Sequence, residues 1–196
     1  MRVVALGTFA SDLEVGCFGT LCKYAKSGNE VHLIVDGHRS EWTGRKVQAM
    51  RNSAKAINAA DLIFMHQIDH SGVTQDNVSL LRLLMKRIKP SIAFIPSEKT
   101  NDQRMLLARS AIVACRDISN ILMYEVEHSR DFSPEVYHII NEEILTKKSC
   151  LELYGNKGKS LQKKLSINKL RARQVAIKGF VEAFECNTML LDRGFL

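Results

Sequence analysis

Short apolar runs recur along the chain and divide it into regular segments. Each run is continuous rather than alternating, which is the pattern of strands that are buried on both faces of a parallel sheet. Five such runs stand at residues 3–6, 31–35, 62–65, 92–95 and 121–124. They predict five buried strands.

The segments between these runs have helical periodicity. Apolar residues recur there at i, i+3, i+4 and i+7, as on the buried face of an amphipathic helix. The residues that show this spacing are Phe18, Leu21, Cys22 and Ala25, then Leu81, Leu84, Met85 and Ile88, with a looser stripe at Leu107, Ala111, Ala114 and Ile118. Strands that alternate with helices form right-handed βαβ units. We therefore predict an α/β fold with a Rossmann-like parallel sheet of about five or more strands, helices on both faces, and a ligand crevice at the carboxyl ends of the strands.

The last third of the chain departs from this alternation. After Glu125 the pattern predicts a loop, a short apolar run at residues 136–140, and a long C-terminal helix that carries Ile177, Phe180, Val181 and Phe184. Residues 154–160 are rich in glycine and lysine and predict a mobile loop. We expect these elements to form a C-terminal helical extension of the same domain, so that residues 1–196 make a single domain of ordinary size.

The composition is that of an ordinary globular protein. Hydrophobic residues make up 45% and charged residues 25% of the 196 positions, so a packed core is expected. No stretch has the roughly 18 uncharged apolar residues of a membrane helix, and the N-terminus leads into an apolar run rather than a signal peptide. The five cysteines are odd in number and lack C-x-x-C spacing, which favours reduced thiols in a cytoplasmic protein.

The positive charge is concentrated in one segment. The chain has 28 Lys and Arg against 21 Asp and Glu, a net charge of +7. Residues 141–178 carry ten Lys and Arg against three Glu, which accounts for the whole excess. Such a segment can attract phosphates or nucleic acid. We prefer a solvated helical face, and nucleic acid is not the partner that we expect.

The segment that follows the first run has polar residues where α/β proteins place reactive groups. It reads G-T-F-A-S-D-L-E-V-G-C-F-G-T over residues 7–20. Ser11 followed by Glu14 three residues later is a capping box, and Asp12 in the first turn suits the helix dipole. Taken alone, these residues predict the start of a helix.

The same segment resembles the motif of a known family. The PIG-L/LmbE-like de-N-acetylases, which act on amino-sugar conjugates, carry G-A-H-P-D-D-x-E-L-G-C-G-G-T after their first strand. The ungapped match falls on Gly7, Asp12, Glu14, Gly16, Cys17, Gly19 and Thr20. Similar stretches follow in the family's order at residues 21–25, 28–31, 89–96, 124–125, 131–134, 171–175 and 181–185. The resemblance implies the same fold.

The resemblance also implies where the chemistry would stand. In the family, zinc is held by the histidine and second aspartate of A-H-P-D-D and by the last histidine of an H-P-D-H motif after the fourth strand. The first aspartate of A-H-P-D-D is the general base, and the first histidine of H-P-D-H helps the tetrahedral intermediate. Carried over, Phe9 replaces a zinc ligand, Ser11 replaces the base, and Asp12 is the one retained ligand. The letters T-N-D-Q stand in place of H-P-D-H, so Thr100 replaces the catalytic histidine and Gln103 the last ligand.

These replacements remove the chemistry that the family uses. A catalytic zinc site needs about three N, O or S protein ligands, and neither a phenylalanine ring nor a neutral amide suits that role. A serine hydroxyl is too weak a base at pH 7 to deprotonate a zinc-bound water. We therefore predict a non-catalytic or weakly active homologue without a zinc cofactor, which binds a glycan-related ligand or a protein partner.

Two alternatives remain open. Histidines that follow the predicted strands could rebuild a metal site, with zinc as cofactor, and make the chain an active N-deacetylase of amino sugars; they are His38, His66, His70 and His128. The basic segment at residues 141–178 could instead make it a polyanion-binding module.

Further residues could line a retained ligand pocket. Arg45 or Arg51 could bind the phosphate of a sugar-phosphate ligand, because a guanidinium pairs with phosphate in bidentate geometry. The full set of pocket candidates is Phe9, Ser11, Asp12, Glu14, His38, Arg45, Thr100, Asp102, Gln103 and His128.

Overall fold

The five predicted runs all form strands, and two more strands follow them. The computed structural model describes residues 1–37, 43–65, 72–99, 102–126, 129 and 131–190. The strands are β1 Arg2–Gly7, β2 Glu30–Asp36, β3 Asp61–Met65, β4 Ile92–Ser97, β5 Asn120–Glu125, β6 Val136–Ile139 and β7 Val181–Met189. Within the described residues they form a seven-stranded sheet in the order β3-β2-β1-β4-β5-β7-β6. Strands β1 to β5 are parallel, and β7 runs antiparallel to both β5 and β6.

Helices cover both faces of this sheet, as predicted. They are α1 Asp12–Gly16, α2 Phe18–Lys26, α3 Gly44–Ala56, α4 Gln75–Ile88, α5 Asp102–Ala114, α6 Ile144–Leu153 and α7 Gly158–Gln174. Alternate residues of β1 enter two different apolar clusters. Val3 and Ala5 pack with α2 and α3, whereas Val4 and Leu6 pack with α4 and α5. Because side chains alternate across a strand, a continuous apolar run buries both faces.

The prediction of a long C-terminal helix through Phe184 is wrong. Helix α7 ends at Gln174, and Val181–Met189 is the strand β7 between β5 and β6. The spacing of the apolar residues there fits a helix, but a short apolar run cannot be assigned by periodicity alone. The helical extension itself is present as α6 and α7. The predicted mobile loop at residues 154–160 is also partly wrong, because α7 begins at Gly158.

Two basic residues of the segment 141–178 lie inside the protein rather than on a solvated face. Lys147 is fully buried and its Nζ lies 2.6 Å from Oε1 of Glu182. Arg171 is buried too, and its Nη2 lies 2.6 Å from Oε1 of Glu125. The preferred interpretation of this segment therefore fails for these two side chains, whose charges are neutralised internally.

Two further sequence observations concern thiols and membranes. All five cysteines are free thiols, and four of them are buried. In the part of the chain that the structure describes, no helix is both long and apolar enough to cross a membrane.

The strand order predicts a crevice next to β1. The chain moves from β1 outward to β2 and β3, and then returns to β4 on the other side of β1. At such a switch point, the loops that follow the two neighbouring strands diverge and leave room for a ligand. The loops after β1 and β4 lead into α1 and α5, so the first turns of these helices border the crevice.

Candidate functional site

The loop after β1 presents Asp12 at this crevice. The Asp12 carboxylate accepts hydrogen bonds from the backbone N–H groups of Thr8, at 3.2 Å, and Phe9, at 2.9 Å. Ser11 has a left-handed backbone with φ of 75°, and its side chain makes no capping hydrogen bond. The predicted capping box is therefore wrong. The loop is organised around the Asp12 carboxylate instead.

Arg104, in the first turns of α5, binds the same carboxylate. Its Nη2 donates to Oδ1 of Asp12 at 2.8 Å, and its Nε donates to Oδ2 at 3.2 Å. The side chains of Asp12 and Arg104 are 6% and 16% exposed. This is the bidentate fork geometry in which arginine and carboxylate interact most strongly. Both carboxylate oxygens of Asp12 are thus engaged by protein donors.

Two more side chains lie near Arg104. Its guanidinium carbon lies 4.8 Å from the centre of the Phe9 ring, within the range of a cation–π contact. Its Nη1 lies 3.8 Å from Oε2 of the buried Glu98. Burial lowers the pKa of Arg104, but the hydrogen bonds and charge of Asp12 outweigh this effect, so the pKa lies above its usual value. The guanidinium is held in its charged form.

These side chains do not fit a catalytic zinc ion. Of the three positions that hold zinc in the resembling family, Phe9 offers a ring, Gln103 offers a neutral amide, and Asp12 already binds Arg104. Among the described residues, no three or more His, Cys, Asp or Glu side chains are grouped so that they could hold a metal ion. Four histidines of the alternative, rebuilt site lie outside the described ranges, so that site stays a prediction; they are His38, His66, His70 and His128.

Glu14 is buried and has a hydrogen-bond partner of its own. Tyr154 donates a hydrogen bond of 2.7 Å from its hydroxyl to Oε1 of Glu14. Burial raises the pKa of Glu14, and hydrogen bonds from Tyr154 and Ser53 offset part of this effect. Residues two positions apart point to different sides of a helical turn, and Asp12 and Glu14 accordingly bind different partners.

The other pocket candidates are placed differently. Arg45 is exposed near the start of α3. Its guanidinium lies next to Gly155, in the loop between α6 and α7: a methyl group added at Gly155 would lie 3.0 Å from Nη2 of Arg45. Gln103 is half-buried in the first turn of α5. Only the backbone of Asp102 is described, and Thr100 lies outside the described residues, as His38 and His128 do.

A second bidentate pair stands at the end of β5. Arg171 of α7 donates from Nε and Nη2 to the two carboxylate oxygens of Glu125, at 2.8 and 2.6 Å. Its Nη1 donates to Gln174 at 2.8 Å, and its guanidinium carbon lies 5.1 Å from the centre of the Phe132 ring. These four residues stand in the stretches that resemble the family at residues 124–125, 131–134 and 171–175. They fix α7 to the sheet beside the crevice.

Asp36 ends β2 at the same edge of the sheet. Its side chain is buried, and burial raises its pKa from 3.8 to about 7. A carboxyl group of this kind changes its charge close to neutral pH, where an ordinary aspartate is fully ionised.

Replacing Asp36 with asparagine should make stability less dependent on pH. The folded chain binds the Asp36 proton more tightly than the unfolded chain does, so the wild-type protein loses stability as pH rises from about 4 to about 7. We expect Asp36→Asn to remove up to roughly 4 kcal/mol of this loss, since each tenfold difference in proton affinity corresponds to about 1.4 kcal/mol. Urea unfolding of both proteins at pH 4.5 and 7.5 measures the effect. Equal pH dependence in the two proteins would contradict it.

Sequence reasoning missed Arg104, which binds Asp12, and Glu98, which lies near Arg104. Arg104 directly follows the T-N-D-Q letters, and Glu98 stands just before them. Neither residue falls on a position of the family motif, so no pattern marked them. Arg104 stands 92 residues after Asp12 in the sequence, so their contact can be seen only in the folded chain.

Comparison with known proteins gives both sequence and structural relatives. No protein-family profile matches the chain. The chain is 26% identical over 158 residues to a curated Escherichia coli K12 protein named "Uncharacterized deacetylase YaiS", a match that covers 74% of the chain and 85% of that relative.

Solved structures share the fold at low sequence identity. The N,N'-diacetylchitobiose deacetylase of Pyrococcus horikoshii superimposes with a TM-score of 0.75 at 15% identity, covering 94% of this chain and 83% of its own. GalB of Pseudomonas putida KT2440, a 4-carboxy-2-hydroxymuconate hydratase, superimposes with a TM-score of 0.80 at 12% identity, covering 98% of each chain. The fold therefore occurs with more than one activity. In sequence and in fold, the chain is thus similar to deacetylases of the PIG-L/LmbE type.

Proposed function

We propose that this protein binds a glycan-related ligand in the crevice beside Asp12 and does not hydrolyse it, or does so only weakly. The observation that carries this proposal is the bidentate pair of Asp12 and Arg104, which engages the one retained zinc-ligand position with a protein cation. The ligand class is taken from the relatives. One of them is named a deacetylase, and another is a deacetylase of an acetylated sugar.

Weak or absent hydrolysis is supported by the side chains that stand at the family's working positions. Amide hydrolysis needs a base to activate water and a positive group to stabilise the oxyanion. At the family's base position stands the hydroxyl of Ser11, which does not deprotonate water at neutral pH. The guanidinium of Arg104 is positive, but it already binds Asp12 and lies near Glu98, so its charge is offset by two carboxylates.

The types of side chain near Asp12 nevertheless suit a polar ligand that has an apolar side. The Phe9 ring and the aliphatic part of Gln103 can pack against a sugar ring, while hydroxyl groups can exchange hydrogen bonds with Ser11 and the amide of Gln103. Sugars are commonly bound by such a mixture of a flat apolar surface and uncharged hydrogen-bonding groups.

Saturation-transfer NMR with N-acetylglucosamine and N,N'-diacetylchitobiose tests binding. We expect weak binding, in the range of about 0.1 to 10 mM, as is typical of a small ligand with few contacts. Gln103→Trp adds bulk next to Arg104, in the first turn of α5, and should abolish the signal. Gln162→Trp adds the same bulk to the exposed face of α7 and is the matched control. No signal with either sugar in the wild-type protein would refute the binding function.

An acetate-release assay on the same sugars tests the lack of hydrolysis. With zinc supplied, we expect no acetate above the buffer blank. The rival function is an active metal-dependent de-N-acetylase with a remodelled site, and it is favoured by the sequence relative that is named a deacetylase. It predicts acetate release that a chelator and Asp12→Ala both abolish, and this result would replace our proposal.

A further inference from the structure

A buried carboxylate such as Asp12 needs a positive partner. Taking an ionised carboxylate out of water is costly unless hydrogen bonds and an opposite charge compensate it. Two backbone N–H groups supply hydrogen bonds to Asp12 but no net charge. In the resembling family a divalent cation neutralises this position, whereas here the charged group within contact is Arg104.

We propose that the Arg104 guanidinium is a built-in replacement for the metal ion, which neutralises Asp12, ties the β1 loop to α5 and closes the position to a divalent cation. The inference follows from where the group lies. It contacts both oxygens of Asp12 and at the same time stacks over Phe9, the residue at the position of the lost histidine ligand.

The replacement of the histidine ligand by Phe9 then has a physical reason. A histidine beside a guanidinium would be held near a like charge whenever it was protonated, and its lone pair would have no metal to bind. A phenylalanine ring instead offers the guanidinium a negative face. Phe9 and Arg104 are thus compatible neighbours, because the ring faces the guanidinium without adding a second positive charge.

Arg104 lies closer to Asp12 than to Glu98. The two oxygens of Asp12 lie at hydrogen-bonding distance from Nε and Nη2, whereas Glu98 lies farther away, at 3.8 Å from Nη1. Glu98 has a second partner in the backbone N–H of Lys99, which donates to its Oε1 at 2.9 Å. Asp12 is therefore the carboxylate that depends most on Arg104.

The first test measures whether Arg104 holds this part of the fold. We expect Arg104→Met to lower the Tm by roughly 10 °C, because it leaves a buried carboxylate without its cation. Asp12→Asn/Arg104→Met should recover most of this loss, since the uncompensated charge is gone. Arg109→Met, on an exposed position of the same helix, is the matched control and should change the Tm by no more than about 2 °C.

This first test has outcomes that decide against the inference. A Tm of Arg104→Met equal to that of Arg109→Met would overturn it. If Arg104→Met fails to fold, the double variant decides: a folded double variant supports the inference, and an unfolded one refutes it because the defect would not come from Asp12.

The second test asks whether Arg104 keeps a metal out. Phe9→His/Gln103→His restores the family's ligand types while Arg104 remains, and we expect no stoichiometric zinc by equilibrium dialysis. Adding Arg104→Ala should allow about one zinc per chain, and zinc should then raise the Tm of the triple variant by several degrees. Zinc binding by the variant that retains Arg104, or no binding by the triple variant, would overturn the proposed closure. Neither result depends on whether the crevice binds a sugar.

Discussion

Lys147→Met should lower the free energy of unfolding by about 3–5 kcal/mol. Lys147 is fully buried, and its Nζ donates to Oε1 of Glu182 at 2.6 Å and to the backbone oxygen of Val15 at 2.8 Å. Methionine preserves most of the side-chain volume but removes the charge. Glu182, which is 1% exposed, would then be a buried carboxylate without a cation. Urea unfolding followed by circular dichroism at pH 7 measures the loss.

The neighbouring residue supplies the control for this experiment. Lys148 is exposed on the same helix, so Lys148→Met should change stability by no more than about 0.5 kcal/mol. Lys147→Met/Glu182→Gln should be more stable than Lys147→Met, because the buried charge has been removed. Equal stability of the Lys147 and Lys148 variants would show that the buried pair does not hold the fold.

This pair stabilises the region where the sheet becomes antiparallel. Glu182 stands in β7, and it also accepts hydrogen bonds from the backbone N–H groups of Gly19, at 2.9 Å, and Thr20, at 2.7 Å, in the first turn of α2. One carboxylate thus joins α2, α6 and β7. A negative charge at the start of a helix is favourable because the first N–H groups have no partner inside the helix.

Gly16→Ala should destabilise the protein by at least about 3 kcal/mol, the upper end of the usual cost of overpacking. A methyl group at Gly16 would lie 2.0 Å from Cδ2 of Tyr124 and 2.9 Å from the backbone oxygen of Glu125. Tyr124 is fully buried and donates a hydrogen bond of 2.7 Å to the backbone oxygen of Leu6, so it has no room to move aside. Thermal unfolding measures the change.

Gly44→Ala is the matched substitution for this second prediction. Gly44 is the first residue of α3, and a methyl group there would meet no atom within 4 Å. The same change should therefore leave stability unaltered or raise it by up to about 1 kcal/mol, because alanine loses less conformational freedom on folding. Similar losses from Gly16→Ala and Gly44→Ala would contradict the close packing of α1 on β5.

Two glycines that match the family motif serve the packing of the scaffold. Gly16 allows α1 to approach β5, and a methyl group at Gly19 would lie 2.8 Å from the side chain of Ile140. The positions that depart from the motif, Phe9 and Ser11, are those where the family has a metal ligand and a base. A chain that keeps the first group and loses the second keeps its fold and its crevice, which is the pattern that our proposed function requires.

The sequence by itself determined the parallel part of the fold and the place of the crevice. Burial on both faces of a strand requires a continuous apolar run, and burial on one face of a helix requires apolar residues with a 3.6-residue period. Both patterns can be recognised within a short segment of the sequence. The five parallel strands and the amphipathic helices followed from these patterns. The location of Asp12 at the end of β1 followed from them too, because loops after parallel strands meet at one edge of the sheet.

Only the tertiary structure decided which charged groups meet and how the sheet ends. The apolar residues near Val181 fit a helix as well as a strand, and the partners available beside β5 and β6 selected the strand. The contact of Arg104 with Asp12 and that of Lys147 with Glu182 join residues far apart in the sequence, so no local spacing encodes them. Because the energy of a buried charge depends on the distance and direction of its partner, the character of this crevice was set by packing.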